Sequence, residues 1–418
     1  MTLPDAVRPV RMMPTRMTQS EPRLLISRSA LLHNVDVIRR ALPAGTKLCA
    51  MIKADGYGHG APLVADTLCN FAGATTGAPA VDALAVATID EAALLPIQKD
   101  IPILIFQPVE NAFLGGQRAS LELAIRNGWI LTLCGKSAAD DVARIASSIN
   151  KRAMVQVMID TGLARSGVGV ARAAELLEKV TTWPSLRLVG VCTHFATAED
   201  TADGFAAEQL RRFDDLTAPL AGRVVRHASN SAGAFFVPGA ALDMVRPGIA
   251  LYGIDPTLQP SLDRSLKPVM KWTAPLVGVR EIPPYTGVGY GHTWRADRTT
   301  RIGLVPVGYA DGYLRAFSNR GVMMVNGQPC PVVGRVSMDL TTIDLRSVPS
   351  ATIGDEVTIL DNDPLSDASA YNLATWADTI PYEIFCRIGP RVKRVGIDPG
   401  DPPVAREDHS DESRGTGF

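Results

Sequence analysis

Lys53 lies between an apolar segment and a glycine-rich one, in the stretch Ala50 to Gly60 (AMIKADGYGHG). The apolar run from Lys47 to Ile52 is typical of a buried strand, so the lysine should stand at the strand's end, at the rim of a site. Burial would lower the pKa of the Lys53 amine and leave a nucleophile able to form an imine with a carbonyl compound. The alternative is a lysine that ends a strand and extends its ammonium group into solvent. Taken alone, this stretch favours that alternative.

Polar residues follow apolar runs at three other places. Arg165, in MIDTGLARSG, lies in a loop between two glycines, where a planar guanidinium could clamp a carboxylate or a phenolic oxygen. His194, in CTHFATAED, could be a hydrogen-bonded structural histidine. The run Ser229-Asn230-Ser231 is typical of a helix cap, although hydroxyls and N–H groups at a helix start also bind phosphate.

Arg246 lies within an otherwise apolar run, DMVRPGIALYG. An unpaired charge there would be costly, so this arginine needs a partner. Gly248 would let a ligand approach the backbone closely, which makes a phosphorylated cofactor with a ring acceptor a plausible partner.

Five residues near the C-terminus lie in glycine-rich or turn-like contexts: Tyr290 in GVGYGHTW, Tyr309 and Arg315 in GYADGYLR, Met338 in GRVSMD, and Tyr382 in TIPYEIFCRIG. A tyrosine between glycines can be a surface turn residue. It can also present its phenol as a proton donor or acceptor.

Apolar runs and amphipathic stretches alternate along the first part of the chain, beginning with a helix predicted from Ser27 to about Leu42. From KLCAMI onward, about eight such units within some 220 residues predict a (β/α)8, TIM-like barrel, with a doubly wound sheet as the alternative. The barrel is favoured because the unusual residues all follow predicted strands, whose C-terminal ends would meet at one mouth: Lys53, Arg165, His194, Asn230 and Arg246.

Short alternating runs with turn residues replace this pattern after about Ser265, and Asn326-Gly327 is a strong hairpin signal. We therefore predict an α/β chain with a barrel followed by a mainly β domain. The predicted bounds are a flexible leader at 1–22, the barrel at 23–264, the β-rich domain at 265–397 and a flexible acidic tail at 398–418.

Composition excludes several classes of function. The 42 basic residues nearly cancel the 43 acidic ones, without the basic stripe of a nucleic-acid binder. No apolar run reaches the roughly 18–20 residues of a membrane span. The six histidines show no metal-ligand spacing. Six widely spaced cysteines without a Cys-x-x-Cys pair are typical of a cytoplasmic protein.

Nine motifs resemble, in order, those of alanine racemases, enzymes that depend on pyridoxal 5'-phosphate (PLP). The motifs are AMIKADGYGHG, MIDTGLARSG, THFATAED, ASNSAG, MVRPGIALYG, VGYGHTW, PVGYADGY, GRVSMD and TIPYEIFCRIGPRVKR, and the resemblance covers about residues 24 to 396. The resemblance implies a homodimer with shared active sites, a small amino acid as substrate, and interconversion of L- and D-alanine by two proton carriers. These would be Lys53 of one subunit and Tyr290 of its partner.

The other site residues are also implied by this resemblance. The cofactor would be bound by Lys53, Tyr57, His194, Asn230, Ser231, Arg246, Gly248, Ile249 and Tyr382. The substrate would be bound by Arg165 and Met338. The entry corridor would be lined by Tyr309, Arg315 and Arg335.

Two positions depart from the family pattern. Met158 stands where members commonly have a lysine, carbamylated in several of them, so Arg165 must be positioned in another way. Ser337 stands where many members have cysteine. The alternatives are a racemase of another small amino acid such as serine, a related PLP-dependent decarboxylase, and a non-catalytic PLP-binding protein.

Overall fold

The computed structural model of the chain describes residues 21–71, 78–96, 101–109, 118–261 and 263–398. Residues 1–20 of the expected leader and 399–418 of the expected tail lie outside this part, so the flexibility of both remains a prediction. Within the described residues, no helix combines the length and apolar character that crossing a membrane requires.

Eight parallel strands, numbered in chain order, form the barrel that positions the candidate site: β2 (Lys47–Met51), β3 (Ala83–Val86), β4 (Ile103–Pro108), β5 (Ile130–Leu133), β6 (Ala153–Asp160), β8 (Leu186–Cys192), β9 (Val225–His227) and β10 (Met244–Val245). A two-residue strand, β7 (Val168–Gly169), lies beside β6. The strands pair in sequence from β2 to β9, and β10 pairs with β2. Backbone hydrogen bonds from Arg246 to Ser229 at 2.9 Å and from Asp243 to Arg226 at 3.1 Å join the two remaining edges. The predicted eight-stranded barrel is confirmed.

The barrel strands are apolar because both of their faces are covered. Successive side chains alternate between the helical layer outside and the barrel interior. On β6, Met154 and Gln156 line the N-terminal end of the interior, and Met158 lines its C-terminal end. Alternate residues of β6 therefore line the barrel interior from one end to the other.

Nine helices accompany the barrel in the described chain: α1 (Arg28–Arg40), α2 (Lys53–Tyr57), α3 (Ala61–Asp66), α4 (Ile89–Ala93), α5 (Arg118–Arg126), α6 (Lys136–Ser148), α7 (Val170–Thr182), α8 (Phe205–Thr217) and α9 (Ser231–Phe236). The helix predicted after Ser27 is confirmed, since the Ser27 hydroxyl accepts the Ala30 N–H at 3.1 Å and caps α1. Its apolar stripe, Leu31, Val35 and Ile38, is fully buried, which anchors α1 to the core.

The second region is mainly β. Its strands are β11 (Met270–Pro275), β12 (Gly278–Ile282), β13 (Gly287–Val288), β14 (Trp294–Arg295), β15 (Thr300–Val305), β16 (Val322–Val325), β17 (Gln328–Pro331), β18 (Thr341–Asp344), β19 (Glu356–Leu360) and β20 (Lys393–Ile397), and its helices are α10 (Ala370–Trp376) and α11 (Pro381–Arg387). Asn326 and Gly327, with φ of 50° and 74°, join β16 to β17. Both residues are in the left-handed region that a two-residue hairpin requires, so the predicted hairpin is confirmed.

One strand crosses the partition predicted from sequence. β1 (Arg23–Ser27) was assigned to the barrel with residues 23–264, but it pairs antiparallel with β11 and parallel with β20 in a six-stranded sheet. A closed barrel offers no free edge to a further strand. The β-rich sheet offers one, and there Leu24 and Ile26 become almost fully buried.

Candidate active site

The short segment α2, directly after β2, has the opposite hand to an ordinary helix. Ala54, Asp55, Gly56 and Tyr57 have φ between 53° and 62°, a region that costs a non-glycine residue about 1–2 kcal/mol. Such a turn persists only where its surroundings hold it. It places Lys53, which precedes the left-handed residues, and Tyr57 around a single cavity.

Glu91 holds the start of this turn. Its carboxylate accepts the Ala54 N–H at 2.8 Å and, through its other oxygen, the Ala87 N–H at 2.7 Å. The same glutamate belongs to the capping box that begins α4, where its own N–H donates to Thr88 Oγ1 at 3.1 Å. Glu91 therefore ties the chain after β2 to the chain after β3, next to Lys53.

His59 holds the end of the turn. Its Nδ1 lies 2.9 Å from the Tyr57 carbonyl oxygen and 3.1 Å from that of Gly56, and because carbonyls only accept, Nδ1 carries the proton. The ring packs against Tyr252 and Phe385, with centroids 4.4 Å and 5.1 Å away. Burial lowers the pKa of His59 to about 3, so the imidazole is neutral at physiological pH.

Acid is therefore expected to destabilise the fold through His59. Below the unfolded-state pKa of about 6.5 the unfolded chain binds a proton that the folded chain excludes until its own pKa of about 3. The free energy of unfolding should fall over that window, by about 1.4 kcal/mol per pH unit for this histidine. Denaturation midpoints at fixed protein concentration would show a shallower pH dependence in His59→Gln than in the control His33→Gln. Equal slopes in the two variants would contradict the assignment.

A cavity of about 830 Å³ lies at the C-terminal ends of the barrel strands, the face on which barrel enzymes build their active sites. Ten of the residues predicted from sequence line it: Lys53, Tyr57, Arg165, His194, Asn230, Ser231, Arg246, Gly248, Ile249 and Tyr382. The closed barrel thus brings together side chains that are far apart in sequence. Tyr382 reaches the cavity from α11, in the second region.

One wall of the cavity is rich in hydrogen-bond donors. The Ser231 hydroxyl oxygen accepts the backbone N–H groups of Gly248 at 2.9 Å and Ala250 at 3.3 Å. A Cβ on Gly248 would lie 2.2 Å from the Tyr57 hydroxyl oxygen, so only glycine permits this approach. Asn230 caps α9 by accepting the Gly233 N–H at 2.9 Å. The hydroxyl groups of Tyr57 and Ser231, together with the start of α9, are suited to binding a phosphate group.

Arg246 occupies the floor of the cavity and is 2% exposed. It donates to His227 Nδ1 at 2.7 Å, to the Thr193 carbonyl at 2.8 Å and to the Ala228 carbonyl at 2.9 Å. These bonds provide the partners that its burial requires. No described residue accepts from its Nε–H, so that donor remains for a ligand.

Positive charge dominates the cavity. Burial, and then the nearby Arg165 guanidinium, lower the pKa of Lys53. Burial, followed by the charges of Arg246, Arg165 and Lys53, lowers the pKa of His194 to about 3, so His194 adds no charge. An anionic ligand that carries a carbonyl group would satisfy the three cations and react with the lysine.

The Arg165 loop is shaped by the carboxylate at the end of β6. Asp160 Oδ1 accepts the backbone N–H groups of Gly162, Leu163 and Ala164 at 2.9, 3.0 and 3.2 Å. Ser166 Oγ lies 3.3 Å from the sulfur of Met158. Arg165 therefore reaches the cavity from a loop ordered by Asp160 and packed on Met158, without a lysine at position 158.

The structure places the other five predicted residues outside this cavity, in the second region: Tyr290, Tyr309, Arg315, Arg335 and Met338. We call these five the distal cluster. Tyr290 is 71% exposed and Met338 is 53% exposed. Large side chains exposed together in this way are typical of an interaction surface.

Short contacts between loops keep the distal cluster together. The Asn319 side chain accepts the Gly334 N–H at 2.7 Å and donates to Thr293 Oγ1 at 3.1 Å. The Tyr309 N–H donates to the Ser337 carbonyl at 3.1 Å. These hydrogen bonds link the loops that carry the cluster to one another.

Three residues at or near the cavity have no role predicted from the sequence: His227, Glu91 and Cys386. His227 follows an apolar run in VVRHASN, as His194 does, and this similarity was the available signal. Glu91 could have been recognised from the capping-box spacing Thr88-x-x-Glu91. Cys386 lines the cavity beside Lys53, and only the position of α11 reveals this.

Comparisons with known proteins agree over most of the described chain. The family model described as "Alanine racemase, N-terminal domain" matches residues 26–256, and "Alanine racemase, C-terminal domain" matches residues 269–396. Alanine racemase of Desulfovibrio desulfuricans is 36% identical over 381 residues, which cover 89% of this chain and 97% of that protein. That of Sorangium cellulosum is 37% identical over 392 residues, with 90% and 99% covered.

Solved structures give the same result. Alanine racemase from the D-cycloserine-producing Streptomyces lavendulae is 33% identical and superimposes with a TM-score of 0.80, covering 91% of this chain and 98% of that one. Alanine racemase from Clostridium difficile 630 is 30% identical, with a TM-score of 0.81 and coverage of 90% and 96%.

Proposed function

The chain belongs to the alanine racemase family and is an amino-acid racemase, and we propose that Lys53 of one subunit and Tyr290 of its partner are the two proton carriers that interconvert L- and D-alanine. The observation that supports this proposal is the single cavity shared by Lys53, Arg165 and the wall formed by Tyr57, Ser231 and Gly248. Lys53 would bind the cofactor's carbonyl carbon, the wall would bind its phosphate, and Arg165 would bind the substrate carboxylate.

The cavity residues fit PLP. Its phosphate matches the wall formed by Tyr57, Ser231 and the backbone of Gly248, where no Cβ intrudes. Its carbonyl carbon would be attached to Lys53, and its ring nitrogen would accept from Arg246. When bound, PLP draws off the negative charge left on the α-carbon after its proton departs.

Lys53 is suited to moving a proton on one face of the substrate. Its lowered pKa raises the fraction of neutral amine near pH 7, and a neutral amine can accept a proton. The positive charge of Arg165 also lowers the pKa of Lys53, because it destabilises the ammonium form of the lysine. The α-proton removed by Lys53 must be replaced from the opposite face for the configuration to invert.

Tyr290 is the proposed carrier on that opposite face. It does not line the cavity of its own subunit, and its side chain is 71% exposed. In a homodimer the distal cluster of one subunit would close the cavity of the other, which brings the partner's Tyr290 and the partner's Met338 over the substrate. Arg165 would bind the substrate carboxylate from below.

Arg246 has a supporting role in this proposal. A guanidinium donates hydrogen bonds but does not release its proton in proteins. Arg246 would therefore orient the cofactor ring without protonating it. Its three bonds to His227, Thr193 and Ala228 fix the direction of its remaining donors.

The proposal includes the setting in which the enzyme acts. A cytoplasmic location is supported by six widely spaced cysteines without a Cys-x-x-Cys pair, a pattern typical of a reducing compartment. A shared active site requires the homodimer to be the functional form.

Optical rotation and product analysis test the function. The purified protein should carry PLP, detected by its absorbance, and should racemise L-alanine faster than L-serine and other amino acids in a panel. Release of carbon dioxide from lysine, arginine or diaminopimelate would instead identify a decarboxylase. A protein that binds PLP but changes no amino acid would be a carrier.

Gly248→Ala is expected to weaken PLP binding by about 10- to 100-fold, because the new methyl group would displace Tyr57 and the backbone N–H from the phosphate. Dialysis against graded PLP concentrations, followed by absorbance, measures this affinity. Gly169→Ala is the matched control, since a Cβ there meets nothing within 4 Å and its φ is −63°. Equal PLP affinity in the two variants would refute the placement of the phosphate.

A further inference from the structure

A second cavity, of about 550 Å³, enters the barrel from the N-terminal ends of its strands. All eight barrel strands contribute to its wall, which is mostly apolar and includes Leu104, Ile130, Met154 and Val225. The cavity lies at the end of the barrel opposite to Lys53. Its wall also includes two buried polar residues, Gln156 and His227, each 1% exposed.

Gln156, beside this cavity, has a buried acceptor without a partner in the described part of the chain. The Thr132 hydroxyl donates its only proton to the Ile105 carbonyl at 2.5 Å, so it can only accept from Gln156 Nε2, which lies 2.8 Å away. This fixes the orientation of the amide. Oε1 is left without a donor among the described residues, although Gln156 is 1% exposed, and a buried acceptor without a partner is costly.

His227 presents a donor to the same cavity. Its Nδ1 accepts from Arg246 at 2.7 Å, and an arginine cannot accept, so Nδ1 is unprotonated. Burial, followed by the Arg246 charge, lowers the pKa of His227, which keeps the ring neutral. The single ring proton is therefore on Nε2, for which the described residues provide no acceptor.

Gly190 leaves space between this donor and this acceptor. It lies on β8, between the strands that carry Gln156 and His227. A Cβ on Gly190 would lie 3.5 Å from Gln156 Cβ and 3.5 Å from His227 Nε2. A side chain at this position would thus fill the space between the Gln156 and His227 side chains.

We propose that this cavity is a second binding site, for a small neutral molecule that carries a primary amide on an apolar body. The amide carbonyl accepts from His227 Nε2–H, and the amide N–H donates to Gln156 Oε1. The apolar remainder packs against the wall toward the N-terminal mouth. Both unsatisfied groups are satisfied by one ligand, and neither needs a charge.

The site is coupled to the catalytic cavity through one imidazole. A hydrogen bond donated by Nε2–H increases the electron density at Nδ1, which is the atom that accepts from Arg246. An occupant of the second site therefore strengthens the contact that positions Arg246. Arg246 is the only residue between His227 and the proposed cofactor position in this chain of hydrogen bonds.

The probe is isovaleramide, tested on the PLP-bound enzyme by NMR of ¹⁵N-labelled histidine. We expect it to shift both ring nitrogens of His227. Methyl isobutyl ketone has nearly the same shape but lacks the N–H, and should bind roughly tenfold more weakly because it leaves Gln156 Oε1 unpaired. Isovalerate, an anion with acceptors only, should not bind.

Three variants separate the proposed site from non-specific binding. Gly190→Ala should abolish the His227 shifts, whereas Gly278→Ala, a strand glycine in ordinary contact with Leu304, should bind as the wild type does. Gln156→Met should remove the preference for amide over ketone, because it removes the Oε1 acceptor. This variant tests the site independently if Gly190→Ala fails to fold. The proposal is overturned if isovaleramide does not shift His227, if the ketone binds equally well to the wild type, or if Gly190→Ala retains binding.

Discussion

Tyr290→Phe is expected to stop α-hydrogen exchange from one enantiomer of alanine while exchange from the other continues. The α-hydrogen of each enantiomer points to a different face of the bound substrate, and Lys53 and the partner's Tyr290 are proposed to serve one face each. Loss of a positioned acid–base group typically costs about 10²- to 10⁴-fold. Racemisation, which needs both faces, should fall by a similar factor in both directions.

The measurement is loss of deuterium from α-deuterated L-alanine and D-alanine in separate reactions. Tyr285→Phe is the matched control, since Tyr285 is 79% exposed in the same region but belongs to none of the predicted sites. It should exchange both substrates at the wild-type rate. Undiminished loss of deuterium from both enantiomers in Tyr290→Phe would exclude Tyr290 as a proton carrier.

A mixed dimer of Lys53→Ala and Tyr290→Phe subunits is expected to recover activity that neither variant has alone. If each site combines Lys53 of one subunit with the partner's Tyr290, then one site of the mixed dimer carries both substitutions and the other carries none. The mixed dimer should therefore have about half of the wild-type activity, because one of two symmetric sites is intact. Each homodimer has one defect in every site and should be almost inactive.

Co-expression with two different affinity tags, and purification through both, isolates the mixed dimer. A dimer of two Lys53→Ala subunits that carry the same pair of tags is the control, and should be inactive. An inactive mixed dimer would mean that each site uses Lys53 and Tyr290 of the same chain. That result would remove the shared site while leaving the cavity chemistry untouched.

The barrel and most of its mouth could be predicted because their signals are local. An apolar run that ends in a polar residue predicts both a strand and the place where its last side chain emerges. Lys53, His194 and Arg246 follow this rule, and all three line one cavity. The hairpin at Asn326-Gly327 was predictable for a similar reason, since two left-handed residues suffice to define it.

Other features depend on contacts that sequence spacing does not reveal. The left-handed turn after Lys53 contains Ala54 and Tyr57, residues that do not favour this conformation on their own. Glu91 stabilises its start from 37 residues along the chain, and His59 stabilises its end through two backbone carbonyls. The acceptor role of His227 similarly depends on Arg246, which comes from another strand.

The placement of β1 has a consequence for the order in which the chain assembles during synthesis. β1 precedes the entire barrel, but its two neighbours in the sheet, β11 and β20, follow it. As the ribosome extends the chain, β1 leaves the exit tunnel long before either neighbour exists, and its apolar side chains, Leu24 and Ile26, must wait unpaired. The sheet is complete only when β20 has been made, so a chain released before that point would leave β1 with one open edge, and a chain released before β11 would leave it with two.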